Sequence, residues 1–203
     1  MMGTFESRES GGAAIALDDI EISILRSLAV QLLELIGPGE PEPAADADPL
    51  AVLFASDGPT EPPADPALAR LFPDAYGAGP DARDDLRRAE AEELKARSAE
   101  FRRFTENDLR TRKREDALAV VHSLNDLAPV GDGAAVLELT GELPLRWLGA
   151  LNDLRLTIAA RLEITEDDES AALFRLPDDD PRKPMVMAYL WLGGLQESLI
   201  ETL

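Results

Sequence analysis

The sequence predicts a mainly α fold: a compact helical bundle of about four long helices plus short helices, with a small N-terminal β-hairpin and one further strand. Three observations predict it. Apolar residues recur at the i, i+3/i+4, i+7 spacing of a helix face in several long stretches. Ala, Glu, Arg and Leu, all good helix formers, dominate the middle of the chain. Aromatic residues are only 5% against 45% apolar in total, so the core must be packed by Leu, Ala, Ile and Val. A length of 203 residues suits a single helical domain.

The elements follow in order. Phe5, Ala14, Ile15 and Leu17 flank Gly11-Gly12, a pair that supplies the positive φ of a tight turn, so residues 4–17 read as a weak hairpin. Asp18 then reads as an N-cap. A helix runs from it to Ile36, with Ile22, Leu25, Leu28, Leu32 and Leu35 on one face and Gly37-Pro38 as its stop. Residues 37–48 (GPGEPEPAADAD) are acidic and proline-rich and read as a mobile loop. Short helices are expected at 49–55, capped by Asp48, and around 65–72, ended by Pro73. Two long helices come next, 82–104 and 105–127. They divide at Thr105, whose hydroxyl makes a variant capping box with Asp108. Residues 134–139 read as a strand, and long helices follow over about 141–162 and 185–202. The acidic loop between them carries Glu166–Glu169 and Asp178–Asp180.

Composition excludes several kinds of chemistry. With no cysteine, these residues form no disulfide, zinc–thiolate site or iron–sulfur cluster and hold no cysteine nucleophile. The one histidine, His122, projects opposite the apolar face of its helix and reads as solvated, which removes His-based zinc sites and a Ser–His–Asp triad. The GDGAAV run at 131–136 lacks the third glycine and preceding strand of a dinucleotide loop and reads as a turn. The acidic runs lack the spacing of a calcium loop. No metal, no cofactor and no catalytic residue is therefore expected, and the chain is not expected to be an enzyme.

A formal charge of −20 repels nucleic acid and anionic membranes over most of the surface. The first ten residues lack the basic and apolar regions of a signal peptide. The longest apolar stretch, 20–36, is broken by Glu21, Arg26, Gln31 and Glu34 and is too polar to span a bilayer. The expected compartment is the cytoplasm.

Placing residues at 100° intervals marks the candidate site. Lys113 and Asp116 fall on the face defined by Leu109, Val120, Leu124 and Leu127. Arg155 projects inside the stripe of Trp147, Leu148, Leu151, Leu154, Ile158 and Leu162, with Arg161 at its edge and Asn152 just outside. Gln196 lies at the margin of the inward face made by Ala188, Trp191, Leu192, Leu195 and Leu199. Charges in leucine positions must find partners, because an unpaired buried charge costs several kcal/mol. Two readings follow: a structural ion network between core helices, or an anion or ligand pocket lined by Arg155, Arg161 and Asn152. A separate basic patch, Arg110, Arg112 and Arg114, lies in residues 83–114, the one region with an excess of basic residues. It could meet a phosphate backbone, but no recognition-helix signature accompanies it, and pairing with acids along the same helix is the simpler expectation.

Four segments carry a family resemblance: LFPDAY (71–76), FRRFTENDLR (101–110), LNDLRLTIAARLEITEDD (151–168) and WLGGLQESL (191–199). In order and spacing they resemble an actinobacterial family catalogued as a domain of unknown function and often encoded beside the ClpS adaptor of the Clp protease. The resemblance covers nearly the whole chain. It implies no established activity, cofactor or active-site residue. Some family members carry a transcriptional-regulator label, and the gene neighbourhood implies a link to regulated proteolysis. The acidic insert at 37–48 and the basic helix before Phe101 depart from the pattern.

The expectation is a non-catalytic protein-interaction or regulatory factor with a protein partner. The alternatives are DNA binding through the basic helix, or binding of a small anion at Arg155. Outward-facing Leu118, Leu156 and Leu190 make a homodimer a further expectation to test.

Overall fold

A computed structural model of the chain describes residues 3–38, 58–76, 86–127, 134–164 and 175–203. The elements are β1 (Glu6–Ser7), β2 (Ala13–Leu17), α1 (Asp19–Ile36), α2 (Pro66–Leu71), α3 (Leu86–Asn125), β3 (Ala135–Leu139), α4 (Leu143–Arg161) and α5 (Lys183–Ile200). They divide into two compact units, Met1–Gly37 with Lys113–Leu203, and Pro38–Arg112. The expected helix at 49–55, nearly all of the acidic loop at 37–48, the start of the GDGAAV run and Glu166–Glu169 lie outside the described residues.

In the first unit a three-stranded antiparallel sheet of order β1-β2-β3 covers the helices. Ile15 pairs with Leu137 and Ala13 with Leu139. Ala13, Ile15 and Leu17 alternate inward on β2, as Ala135, Leu137 and Leu139 do on β3, so the period of two puts one face in the core. The turn before β2 needs Gly12. Its φ is +87°, and a Cβ there would stand 2.2 Å from the Leu139 carbonyl oxygen. Phe5 anchors the sheet on the helices, edge-on to Trp147 with ring centroids 6.1 Å apart, while its backbone N–H donates to Ser198 Oγ at 3.1 Å.

The Asp18 cap of α1 is a full capping box. Glu21 N–H donates to Asp18 Oδ1 at 2.8 Å, and Asp18 N–H donates back to Glu21 Oε2 at 3.0 Å. Helix α4 packs most extensively on α5 and also on α1. Its buried residues include Trp147, Ala150, Asp153, Leu154 and Ala159, which occupy about two thirds of its circumference at 100° per residue. It is the central helix of the unit. Helix α5 begins two residues earlier than expected, because Pro184 is accommodated in the first turn, where its missing N–H costs nothing.

The expected division at Thr105 is corrected. Residues Leu86–Asn125 form one continuous helix of 40 residues. Nothing between Phe104 and Thr105 breaks a helix, and the Thr105 hydroxyl donates at 2.8 Å to the Phe101 carbonyl of the preceding turn instead of capping a new helix. Leu109, expected on the buried face, is also corrected: it is 37% exposed. It lies in the part of α3 belonging to the second unit, and there the inward side is set by Ser98, Arg102 and Glu106.

In that second unit Asp65 caps α2, accepting from the Ala67 and Leu68 N–H groups, with Pro66 leading the helix. Ser98 on α3 accepts from Tyr76 N–H at 3.0 Å and donates to the Tyr76 carbonyl at 2.9 Å. Tyr76 lies edge-on to Phe101.

Candidate functional site

The six residues expected to share one cluster separate into four places, all in the first unit. Lys113 on α3 pairs with Asp153 on α4, Nζ to Oδ1 at 2.5 Å, with side chains 14% and 3% exposed. Asp116, one turn on, is buried against Gly149, where a Cβ would come within 2.6 Å of Asp116 Oδ2. The missing side chain of Gly149 is what makes room for that carboxylate.

Arg155 forms the third place. Its Nη1 donates to Gln196 Oε1 on α5, and its guanidinium lies 5.1 Å from the centroid of the Tyr189 ring. Gln196 Nε2 reaches the exposed Asn152 at 3.5 Å, at the outer limit of a hydrogen bond. Gly193 passes beneath, and a Cβ there would stand 3.5 Å from Arg155 Nε. The group faces a shallow hollow whose rim includes Glu197 and Glu201. Two carboxylates at its mouth oppose an anion, so the electrostatics favour the structural reading of Arg155.

Arg161 is in the fourth place. It is exposed at the end of α4 and borders an apolar groove. This groove is bounded by α1, α4 and α5 and consists of two hollows that share Pro184 and Ala188. One, about 640 Å³, is lined by Leu28, Leu32, Leu35, Leu154, Ile158 and Met185 among others, with Gln31, Glu34 and Arg161 at its edge. The other, about 520 Å³, is lined by Ile20, Ile24, Met187 and Trp191, with Asp18 and Glu21 at its edge. Ile20 is 70% exposed. Leu28 and Leu35, expected in the core, are only half-buried because they face this groove.

The basic run does not form one free surface. Arg110 pairs with Glu106 at 2.7 Å and lies 4.3 Å over the Phe72 ring. Arg114 donates to the carbonyl oxygens of Leu33 and Gly37, tying α3 to the end of α1. Arg112 is exposed.

Sequence reasoning missed three buried groups. A helical wheel reads one face of α4 as buried and passes over Asp153, whereas a central helix buries more. Arg102 and Glu106, each under 5% exposed, form a clamp in the second unit. Arg102 donates to Glu106, to Asp74 at 2.9 Å and to the Phe72 carbonyl at 3.0 Å. Burial works against its charge, but the carboxylates of Asp74 and Glu106 outweigh that and raise the guanidinium pKa above its ordinary value. The i,i+4 spacing of Arg102 and Glu106 was visible in the sequence but reads equally as a solvated helix pair. On the surface, Asp180 accepts from the Arg182 side chain and backbone N–H, which holds its carboxyl below the usual range. His122 is exposed, as expected. Among the described residues, no group of three or more His, Asp or Glu is placed to hold a metal, and no helix is long and apolar enough to cross a membrane.

A family model described as a domain of unknown function, DUF2017, matches residues 2–203. The oxidative stress regulator AosR of Mycobacterium tuberculosis is 30% identical over 195 residues, spanning 96% of this chain and 84% of that protein. The protein of the same name from Mycobacterium bovis aligns with the same figures. A Mycobacterium leprae protein with a provisional form of that name is 34% identical over 181 residues, spanning 89% of this chain and 77% of its own length. No solved structure gives a significant match.

Proposed function

We propose that this chain, which belongs to the DUF2017 family, is a non-catalytic regulator that acts by binding another protein in its cell's response to oxidants. The regulatory part rests on its likeness to proteins named as oxidative stress regulators. The protein-binding part rests on one observation: among the described residues the buried charges are engaged within the fold while an apolar groove stays open. Large exposed apolar surface marks interaction sites. The absence of cysteine means that any response to oxidants by these residues runs without thiol chemistry.

The test is deletion of the gene in its own host, peroxide challenge and transcript profiling, with complementation by the chain. The expected result is a set of transcripts misregulated on challenge and restored by the chain. Unchanged transcripts and survival would overturn the regulatory reading. The Clp link implied by the family resemblance has its own arm, co-purification of the tagged chain with Clp components. Retention of the chain on DNA at low salt, lost in Arg112→Gln, would replace protein binding by the nucleic-acid reading.

A further inference from the structure

We propose that the groove between α1 and α5 docks an amphipathic helix that carries basic residues beside its apolar face. This deepens the protein-binding reading above and rests on it.

Helix α1 has two apolar stripes. At 100° per residue, Ile22, Leu25, Ala29, Leu32 and Ile36 form the buried one. Ile20, Ile24, Leu28 and Leu35, interrupted by Gln31, form a second, centred about 120° away. A surface helix needs one such stripe to hold it to its core. The second is half-buried at Leu28 and Leu35, beside the exposed Met185 of α5, and open at Ile24 and Ile20, beside the exposed Met187. From Ile20 to Leu35 the stripe runs about 22 Å at 1.5 Å per residue, which matches four turns of a docked helix. Between the two hollows the shared residues are Pro184 and Ala188, small enough to let a helix lie across both.

The walls decide the occupant's backbone. They are helix side chains, which offer no row of free backbone N–H and C=O groups, so an extended strand would leave its own polar groups unsatisfied. A helix satisfies them internally. The rim decides the charge. Asp18, Glu21 and Glu34 border the groove against one cation, Arg161, in a chain of formal charge −20. Cations on the occupant are attracted, most strongly at the Asp18 and Glu21 end. The same acidity opposes an anionic lipid surface. Trp191, 8% exposed, lines the groove, and its indole N–H has no hydrogen-bond partner among the described residues.

The probe is a synthetic 18-residue peptide with Leu at i, i+3/i+4 and i+7 positions and Arg and Lys elsewhere. Its twin has the same apolar face with Glu replacing every cation. Each is titrated against the full chain, following Trp191 emission; the other tryptophan, Trp147, is fully buried. The basic peptide should bind at least tenfold more tightly than its twin. Ile20→Asp and Met187→Asp should each weaken it at least tenfold, although the added negative charge would strengthen any non-specific attraction. Leu145→Asp, at a position 63% exposed near the start of α4, should leave it unchanged. Absence of binding, or equal binding to the groove variants, overturns the proposal. So does light scattering that shows a dimer abolished by Ile20→Asp, which assigns the groove to a second copy, or binding to phosphatidylcholine vesicles with the same dependence on Ile20. A failure here with the oxidant transcripts still controlled by the chain rejects the groove and leaves the regulatory reading standing.

Discussion

The Lys113–Asp153 pair offers a direct test of whether the buried charges hold the helices together. Asp153 is 3% exposed in its side chain, so Lys113→Met takes the paired cation from a carboxylate that water scarcely reaches. Breaking such a pair from one side costs about 3–5 kcal/mol, and the lower end applies because Lys113 itself keeps 14% exposure. At about 2–4 °C per kcal/mol for a chain of this size, the melting midpoint should fall by roughly 6–12 °C. Asp153→Asn should cost less, about 1–2 kcal/mol, because the freed ammonium can turn toward water. The double variant removes both charges, and its loss should be smaller than the sum of the singles by at least about 1.5 kcal/mol. Urea unfolding of the four proteins at constant m-value measures this coupling. Additivity within about 0.5 kcal/mol would refute a pair that works as a unit.

Other outcomes follow from single positions. Gly194→Ala has nothing within 4 Å of the new Cβ and should stabilise α5 by about 0.5–1 kcal/mol, whereas Gly149→Ala pushes Asp116 and should cost about 1–3 kcal/mol; thermal melts decide both. The Asp180 carboxyl should titrate below its ordinary value by carboxyl NMR and return toward it in Arg182→Gln. Because its folded pKa is depressed, any stability it adds is present above the unfolded pKa and is lost as pH falls through the folded one. Oxidation of Met185 and Met187 to sulfoxides makes the α5 wall of each hollow polar. It should weaken the basic peptide at least fivefold, an effect that methionine sulfoxide reductases reverse and Met187→Leu reduces.

Much of the fold was legible because its signals are local. Asp18 with Glu21, Gly11-Gly12 and Asp65-Pro66 each specify a boundary through bonds made within a few residues. The 40-residue helix was not, because a threonine and an aspartate can signal a cap or sit quietly mid-helix, and only the surroundings choose. The four segments that carry the family resemblance are tied in two pairs. Arg102 and Arg110 of one, both bonded to Glu106, grip Phe72 and Asp74 of another. Arg155 and Asn152 of the third meet Gln196 of the fourth. That pairing accounts for their occurring together without requiring a catalytic centre.

The candidate site was harder to read, for a reason that Arg161 makes plain. A helical wheel gives direction but not depth, so a cation at the edge of an apolar stripe reads as buried wherever it falls along the axis. Arg161 is the last residue of α4 and meets solvent at the rim of the groove, although Leu162 after it is buried. The converse holds for Ile20 and Ile24, which a wheel places on an apolar face as readily as Ile22. Their exposure depends on how far α5 extends along α1, and Pro184 and Ala188 there are too small to fill the space. Charge in a leucine position drew attention to Arg155, but such a charge closes readily on a neighbour. A leucine-like face left without a partner cannot close in this way, because an apolar group is stabilised only by cover. Among the described residues the unsatisfied surface is therefore apolar rather than ionic, and a partner gains most by covering the second stripe of α1.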